Sequence, residues 1–211
     1  GVQTCALPIS YELTPKHALG CDARSNAFAS DKSLEDGKRS EPSDYAKSGY
    51  DIGHMAPDGD MSWSDVTEHE SFILSNMAPQ LPGLNRGIWK LLESAIRSWS
   101  AEQNKTLIVY VGPIYNTKNK TIGANHVRVP EGFYKIIIDK DSKEAVAFIF
   151  PQKENLGNEL VKFQTNINDV QNKTGIKFKF PKEVDLNSKP DLWKYSIKDL
   201  NTSKKNACKL N

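Results

Sequence analysis

Apolar residues recur at three- and four-residue spacing through Ile88, Leu91, Leu92, Ala95, Ile96 and Trp99. That period makes one buried stripe on a helix. Pro82 and Gly83 precede the run and mark its entry, so the pattern predicts a helix over residues 84–103. A different pattern follows. Residues 107–111 (Leu-Ile-Val-Tyr-Val) are apolar throughout and predict a buried central strand. Residues 134–138 and 145–150 are separated by a polar gap beginning Asp139-Lys140-Asp141-Ser142, and predict a hairpin. Weak alternation over residues 10–13 predicts another strand, and the short apolar run 72–74 one more. Residues 158–172 predict a second long helix ending before Gly175, and Trp193 is expected on a third, short one. Residues 25–49 are polar, with Gly37, Pro42, Ser43 and Asp44, and read as a surface excursion. Strands and helices alternate without βαβ regularity. The expected fold class is α+β, a central, mainly antiparallel sheet flanked by helices.

A chain of 211 residues fits one domain, taken as residues 1–211. No apolar run reaches the roughly 20 residues that a membrane span needs, so no membrane partner is expected. The first ten residues have neither a basic n-region nor a long apolar h-region and are not an intact signal peptide. The net charge of +2 permits a nucleic-acid partner without arguing for one. Lys194, Lys198, Lys204, Lys205 and Lys209 gather near the C-terminus and read as a solvated tail rather than a phosphate track. Cys5, Cys21 and Cys208 form no CxxC pair, which argues against a cysteine zinc site. Three free thiols, a Cys5–Cys21 bridge and a bridge to Cys208 all stay open.

Two stretches hold residues suited to chemistry: Asp51-Ile52-Gly53-His54, and Asn76-Met77-Ala78-Pro79-Gln80 leading into Asn85-Arg86-Gly87-Ile88-Trp89. His54 lies between Gly53 and Pro57, and its ordinary pKa of ~6.5 suits a base near neutral pH. Asp51, three residues upstream, is placed to orient it. Asn85, Trp89, Glu93 and Arg97 recur every four residues, a row that drifts by ~40° per step along one flank of the helix. Taken alone, that row reads as an N-cap at Asn85 followed by a Glu93–Arg97 surface pair. His17, His69 and His126 lack partners at informative spacing and are read as surface or structural residues.

Together the motifs resemble the DNA/RNA non-specific endonuclease family, the ββα-metal or His-Me finger nucleases. That family carries Asp-Arg-Gly-His, then Asn-x-x-Pro-Gln, then Asn-x3-Trp-x2-Leu-Glu on a helix. This chain has Asp51-Ile52-Gly53-His54, Asn76 to Gln80, and Asn85 through Trp89 to Glu93, in that order. Further family-like pieces are Tyr11-Glu12-Leu13, Arg24 with Phe28 and Asp31, Gly112-Pro113-Ile114-Tyr115, Phe133-Tyr134-Lys135 and Pro151-Gln152. The resemblance covers most of the chain after its first ten residues.

What the resemblance implies is specific: a ββα-metal finger site, and Mg²⁺-dependent cleavage of DNA and RNA without sequence preference, leaving 5′-phosphate ends. Mn²⁺ is expected to substitute. His54 is then the general base and Asn85 the direct metal ligand. Glu93 holds the metal's waters, Arg24 and Arg97 lie near the scissile phosphate, and Asn76 supports the site. Arg86 and Asp51 are assigned to substrate binding. DNA and RNA would be gripped through their phosphates, which carry no base information. Family members are usually exported, so a secreted or periplasmic location with the signal removed is expected, and a disulfide with it. Some members pair into homodimers, and nothing in the sequence selects that state here.

One position departs from the pattern: Ile52 stands where the family has arginine. Isoleucine cannot hydrogen-bond phosphate. The alternative expectation is therefore a catalytically weakened nucleic-acid-binding module. The active reading is preferred because His54, Asn85, Glu93, Arg24 and Arg97 are all present.

Overall fold

The structure is a computed structural model that describes residues 6–209 except 117 and 119. In chain order its elements begin with β1 (Ile9–Leu13), α1 (Pro15–Ala18), α2 (Pro42–Tyr45), β2 (Asp51–His54), α3 (Asp58–Met61), α4 (Asp65–Ser71) and β3 (Met77–Gln80). Then come α5 (Lys90–Glu102), β4 (Leu107–Ile114), β5 (Thr121–Ile122), β6 (Val127–Arg128), β7 (Gly132–Asp139) and β8 (Ala145–Pro151). The last are β9 (Gln164–Thr165), α6 (Ile167–Thr174) and α7 (Ile197–Ala207).

The main sheet has the order β1-β4-β7-β8-β9, and every pairing in it is antiparallel. The expected α+β class and the β7–β8 hairpin are both present. β4 is interior, as its apolar run requires, and β7 is the middle strand, buried at all its residues. Alternation along the strands splits the core in two. Val109, Val111, Phe133, Ile137 and Phe148 face α5, where Leu92, Ala95, Ile96 and Trp99 form the stripe read from the sequence. Tyr134, Ile136, Ile138 and Ala147 face the other way, onto Ile167 and Val170 of α6.

Several expectations fail locally. The predicted helix over 84–103 begins as a wide π turn, Leu84–Trp89, and becomes α-helical only at Lys90. Gly87, at φ −98° and ψ −115°, is the non-helical residue inside that turn. Residues 72–74 are not a strand. Ile73 makes one isolated bridge to Ala29, and Leu74–Asn76 is a 3₁₀ turn. The predicted helix over 158–172 is divided into a 3₁₀ turn (Leu160–Phe163), β9 and α6, and ends at Gly175 in the left-handed conformation (φ +72°). Trp193 lies in irregular chain, where its carbonyl accepts the Trp99 indole N–H at 2.8 Å.

Lys194, Lys198, Lys205 and Lys209 are solvent-exposed, as read from the sequence, but three of the five C-terminal lysines lie on the docked helix α7. Ser196 caps α7 through the Asp199 N–H, and the Ser196 N–H and the Ser98 hydroxyl of α5 are bonded at 3.0 Å. A Cys21–Cys208 disulfide ties the end of α7 to the N-terminal region. Cys5 lies outside the described residues. Among those residues, no helix is long and apolar enough to cross a membrane.

Candidate active site

β2 and β3 form a separate antiparallel ribbon that pairs His54 with Met77 and Asp51 with Gln80. Gly53 is required here, because a Cβ would sit 2.1 Å from Oε1 of buried Gln80. The chain then enters the wide turn and α5, which completes a ββα unit. Trp89 locks the helix to the ribbon by donating its indole N–H to the His54 carbonyl at 3.3 Å.

A cleft of about 530 Å³ opens over this unit. His54, Asn85, Glu93, Arg24, Arg97 and Arg86 all line it, together with Ile52 and Lys90. Ile52 and His54 are two residues apart on one strand and so share its face, which places the departed signature position on the cleft. Ile52 also packs against a small apolar cluster that includes Met77, Leu74 and Phe28.

His54 is 7% exposed, and its ring meets Phe72 edge-on, with centroids 4.8 Å apart. Its Nε2 has no hydrogen-bond partner. Burial pulls its pKa down to about 3, and the Arg24 and Lys135 cations push the same way. The imidazole is therefore neutral at neutral pH. The expected Asp51–His54 pairing is not formed. Asp51 instead takes Arg86 in a two-point contact at 2.6 and 2.8 Å, and the Asn85 Nδ2 at 2.9 Å. Burial would raise the Asp51 pKa, but the bonds from Arg86 and Asn85 outweigh it and hold the carboxylate below its usual range.

Asn85 is not an N-cap, because its side chain is turned to Asp51. A carboxylate can only accept, so the NH₂ must face it and Oδ1 faces away. Glu93 and Arg97 do not close on each other either. Arg97 donates to buried Asp60 at 2.8 Å, and the Tyr11 hydroxyl donates to the other oxygen of Asp60 at 2.6 Å. Lys135 of β7 lies 3.5 Å from Glu93. Burial raises the Glu93 pKa against the pull of Lys135 and Arg97. Arg24 pairs with Asp58 and stacks 4.9 Å above the Phe72 ring.

Asn76 does not line the cleft. Its amide is spent on backbone: Oδ1 accepts from the Ala56 N–H at 2.9 Å, and Nδ2 donates to the carbonyls of Ala56 (2.8 Å) and Ser71 (2.7 Å). It pins the segment that follows His54.

Asp58, Asp60 and Lys135 were not singled out from the sequence as site residues. A lone lysine amid the apolar residues of β7 was the available signal for Lys135. Asp58 and Asp60 sit in a Pro-Asp-Gly-Asp run that looks like a solvated turn.

Among the described residues no three or more His, Cys, Asp or Glu side chains converge as a metal cage. The oxygen donors that are present suit a different mode. Asn85 offers a turned-out amide oxygen, and the Glu93 carboxylate lines the same cleft. Mg²⁺ accepts one or two hard oxygen contacts and keeps most of its water, so this set fits it.

Comparison with known proteins agrees with this geometry. The model of the DNA/RNA non-specific endonuclease family matches residues 3–185. Human mitochondrial endonuclease G is 35% identical over 144 residues, which is 63% of this chain and 48% of that protein. Nuclease C1 of Cunninghamella echinulata var. echinulata is 34% identical over 173 residues, covering 75% of this chain and 68% of that protein. The chain spans about half the length of the mitochondrial endonuclease G relatives it matches. A chain of the EndoG/EndoGI complex, solved by crystallography, superposes with a TM-score of 0.75 at 29% identity, over 83% of this chain and 79% of that one. With the ββα unit and the extent of these matches, this chain belongs to the DNA/RNA non-specific endonuclease family.

Proposed function

We propose that this protein is a Mg²⁺-dependent endonuclease that hydrolyses DNA and RNA without sequence preference, leaving 5′-phosphate ends. The observation that carries this reading is His54. It is neutral and buried, and it lines the same cleft as Asn85, Glu93 and four cationic side chains. A neutral imidazole in the wall of that cleft can accept a proton from an attacking water. Positioned proton transfer of that kind typically contributes ~10²–10⁴ in rate.

The other residues take complementary parts. Asn85 would hold the cation through Oδ1, and Glu93 would hold it through water. When bound, Mg²⁺ supplies positive charge against the phosphate and the departing oxygen. Arg97, fixed by Asp60, and Arg24, fixed by Asp58, face the cleft as preset cations for a phosphodiester. Arg86, exposed and braced by Asp51, extends that field to the flanking backbone. Asn76 acts by pinning the chain after His54. Because the cleft presents cations and amides, it grips phosphates, and phosphates carry no sequence. Residues 1–211 act as one domain in this reading. The Cys21–Cys208 bond supports an oxidising, secreted or periplasmic setting.

Ile52 favours one second reading. It gives the cleft no donor where the family has arginine, which would suit a binding module with little cleavage. Supercoiled plasmid separates the two. Nicking in Mg²⁺ that disappears with EDTA and with His54→Ala supports the nuclease. Gel retardation without cleavage in any divalent metal overturns it in favour of the binding module.

A further inference from the structure

Lys135 is fully buried, in the middle of the sheet. It shares a strand face with Phe133 and Ile137, the face that packs on α5. Its Nζ lies 3.5 Å from Glu93 Oε1 and 4.7 Å from the centre of the Trp89 ring. Beyond that contact, neither Nζ nor Oε1 has a hydrogen-bond partner. A buried ion pair made this way contributes little to stability, and an apolar residue would fill the site at lower cost. The charge therefore asks for another reason.

The groups around Glu93 supply one. Arg97 is bonded to Asp60, and Arg24 to Asp58. Asp58 and Asp60 both disfavour a charge on Glu93. Of the cations in this network, Lys135 is the one whose ion pair is with Glu93 itself. We propose that Lys135 is a positioning residue for Glu93, anchoring Oε1 on the sheet side so that the carboxylate is held toward the cleft for the hydrated cation. Through Trp89, whose indole holds the His54 carbonyl, the same ammonium braces the contact between helix and ribbon. The proposal rests on the reading above that Glu93 supports the metal.

The test is a double-mutant cycle with wild type, Lys135→Met, Glu93→Gln and the double variant. Plasmid cleavage gives kcat/KM, depletion of free Mn²⁺ seen by electron paramagnetic resonance gives metal affinity, and melting reports folding. Lys135→Met is expected to lose about 10-fold or more in both affinity and kcat/KM, the range of coupling between contacting groups. It should cost nothing further once Glu93 is glutamine. Wild-type values in Lys135→Met, or losses that multiply in the double variant, overturn the proposal. If Lys135→Met does not fold, the comparison of Glu93→Gln with the double variant decides, because equal kcat/KM is required. The underlying reading fails separately, if the wild type neither binds Mn²⁺ nor cleaves.

Discussion

The amide of Asn85 donates to the carboxylate of Asp51 at 2.9 Å, and that bond decides which end of the amide faces the cleft. Removing the acceptor frees the amide to turn. Asp51→Ala is expected to weaken metal dependence about 10–100-fold, the usual effect of losing a group that orients a ligand. Stability should change little, because Arg86, the other partner of Asp51, is a largely exposed cation whose pairing is worth at most about 1 kcal/mol. Titrating plasmid cleavage against Mg²⁺ checks this. An unchanged half-saturation point would mean that Asn85 does not need Asp51.

Ile52→Arg places a guanidinium on the cleft face of β2. One charged hydrogen bond is worth about 1.5–3 kcal/mol, so kcat/KM should rise by roughly 10- to 150-fold if the new arginine reaches phosphate. Binding should also become more salt-sensitive, by about one extra phosphate contact in the slope of log affinity against log salt. The change removes apolar area from the cluster beneath the ribbon, so a modest fall in melting temperature is expected alongside. An unaltered rate with an unaltered salt slope would mean that Arg86 and its neighbours already fill the role.

His54 predicts a pH dependence of the metal-free protein. Its folded pKa, about 3, lies below the unfolded value of ~6.5. Above pH 6.5 both states are neutral at this residue and it has no effect. As pH falls from 6.5 toward 3 the unfolded chain takes up a proton that the folded chain refuses, so stability is lost. The slope is at most about 1.4 kcal/mol per pH unit. Glu93, whose folded pKa is raised, acts with the opposite sign, so the useful quantity is a difference. Denaturant melts in EDTA should have wild-type stability falling faster than His54→Gln across that window. Parallel curves would mean that His54 is not buried and neutral.

The legible parts of this molecule are those written in local period or in a fixed order of residues. The stripe from Ile88 to Trp99 gave α5, the apolar run at 107–111 gave an interior strand, and the family resemblance of the motifs, not their spacing alone, pointed to His54, Asn85 and Glu93, which line one cleft. What escaped depends on partners distant in sequence. Asp60 matters because Tyr11 and Arg97 converge on it from 49 and 37 residues away. Phe72 and Leu74 look like part of a strand, yet they are buried because Phe72 packs on His54 and Leu74 on the cluster under the ribbon. The wide turn at Leu84–Trp89 escaped as well. A four-residue row assumes a regular helix, and Gly87 breaks it between Asn85 and Trp89.

The disulfide closes a loop between positions 187 residues apart, which sharply restricts the unfolded chain. Cys208→Ser is expected to cost about 3–5 kcal/mol. For a chain of this size that corresponds to a melting temperature lower by roughly 10 °C. Cys208 ends α7 and does not line the cleft, so cleavage at 25 °C should persist. Calorimetry with and without a reductant checks both halves. Wild type insensitive to reductant in the melt would count against a stabilising role for the bond.

Asn76 separates positioning from chemistry. All three of its side-chain hydrogen bonds go to backbone, and two of them hold Ala56, two residues past His54. Asn76→Ala would leave the Ala56 N–H and two carbonyls buried without partners, at about 1–3 kcal/mol for each group that water cannot reach. Asn76→Asp keeps the acceptor for the Ala56 N–H but turns an oxygen toward two carbonyls, so it should be no better tolerated. Both variants should lose stability and kcat together, since His54 is displaced only as the segment behind it relaxes. A group acting directly on phosphate would instead lose kcat while the melting temperature stayed put. Measured melts and single-turnover rates for the two variants therefore assign Asn76. Loss of both confirms a pin behind the base, and loss of rate alone moves the residue into the reacting site.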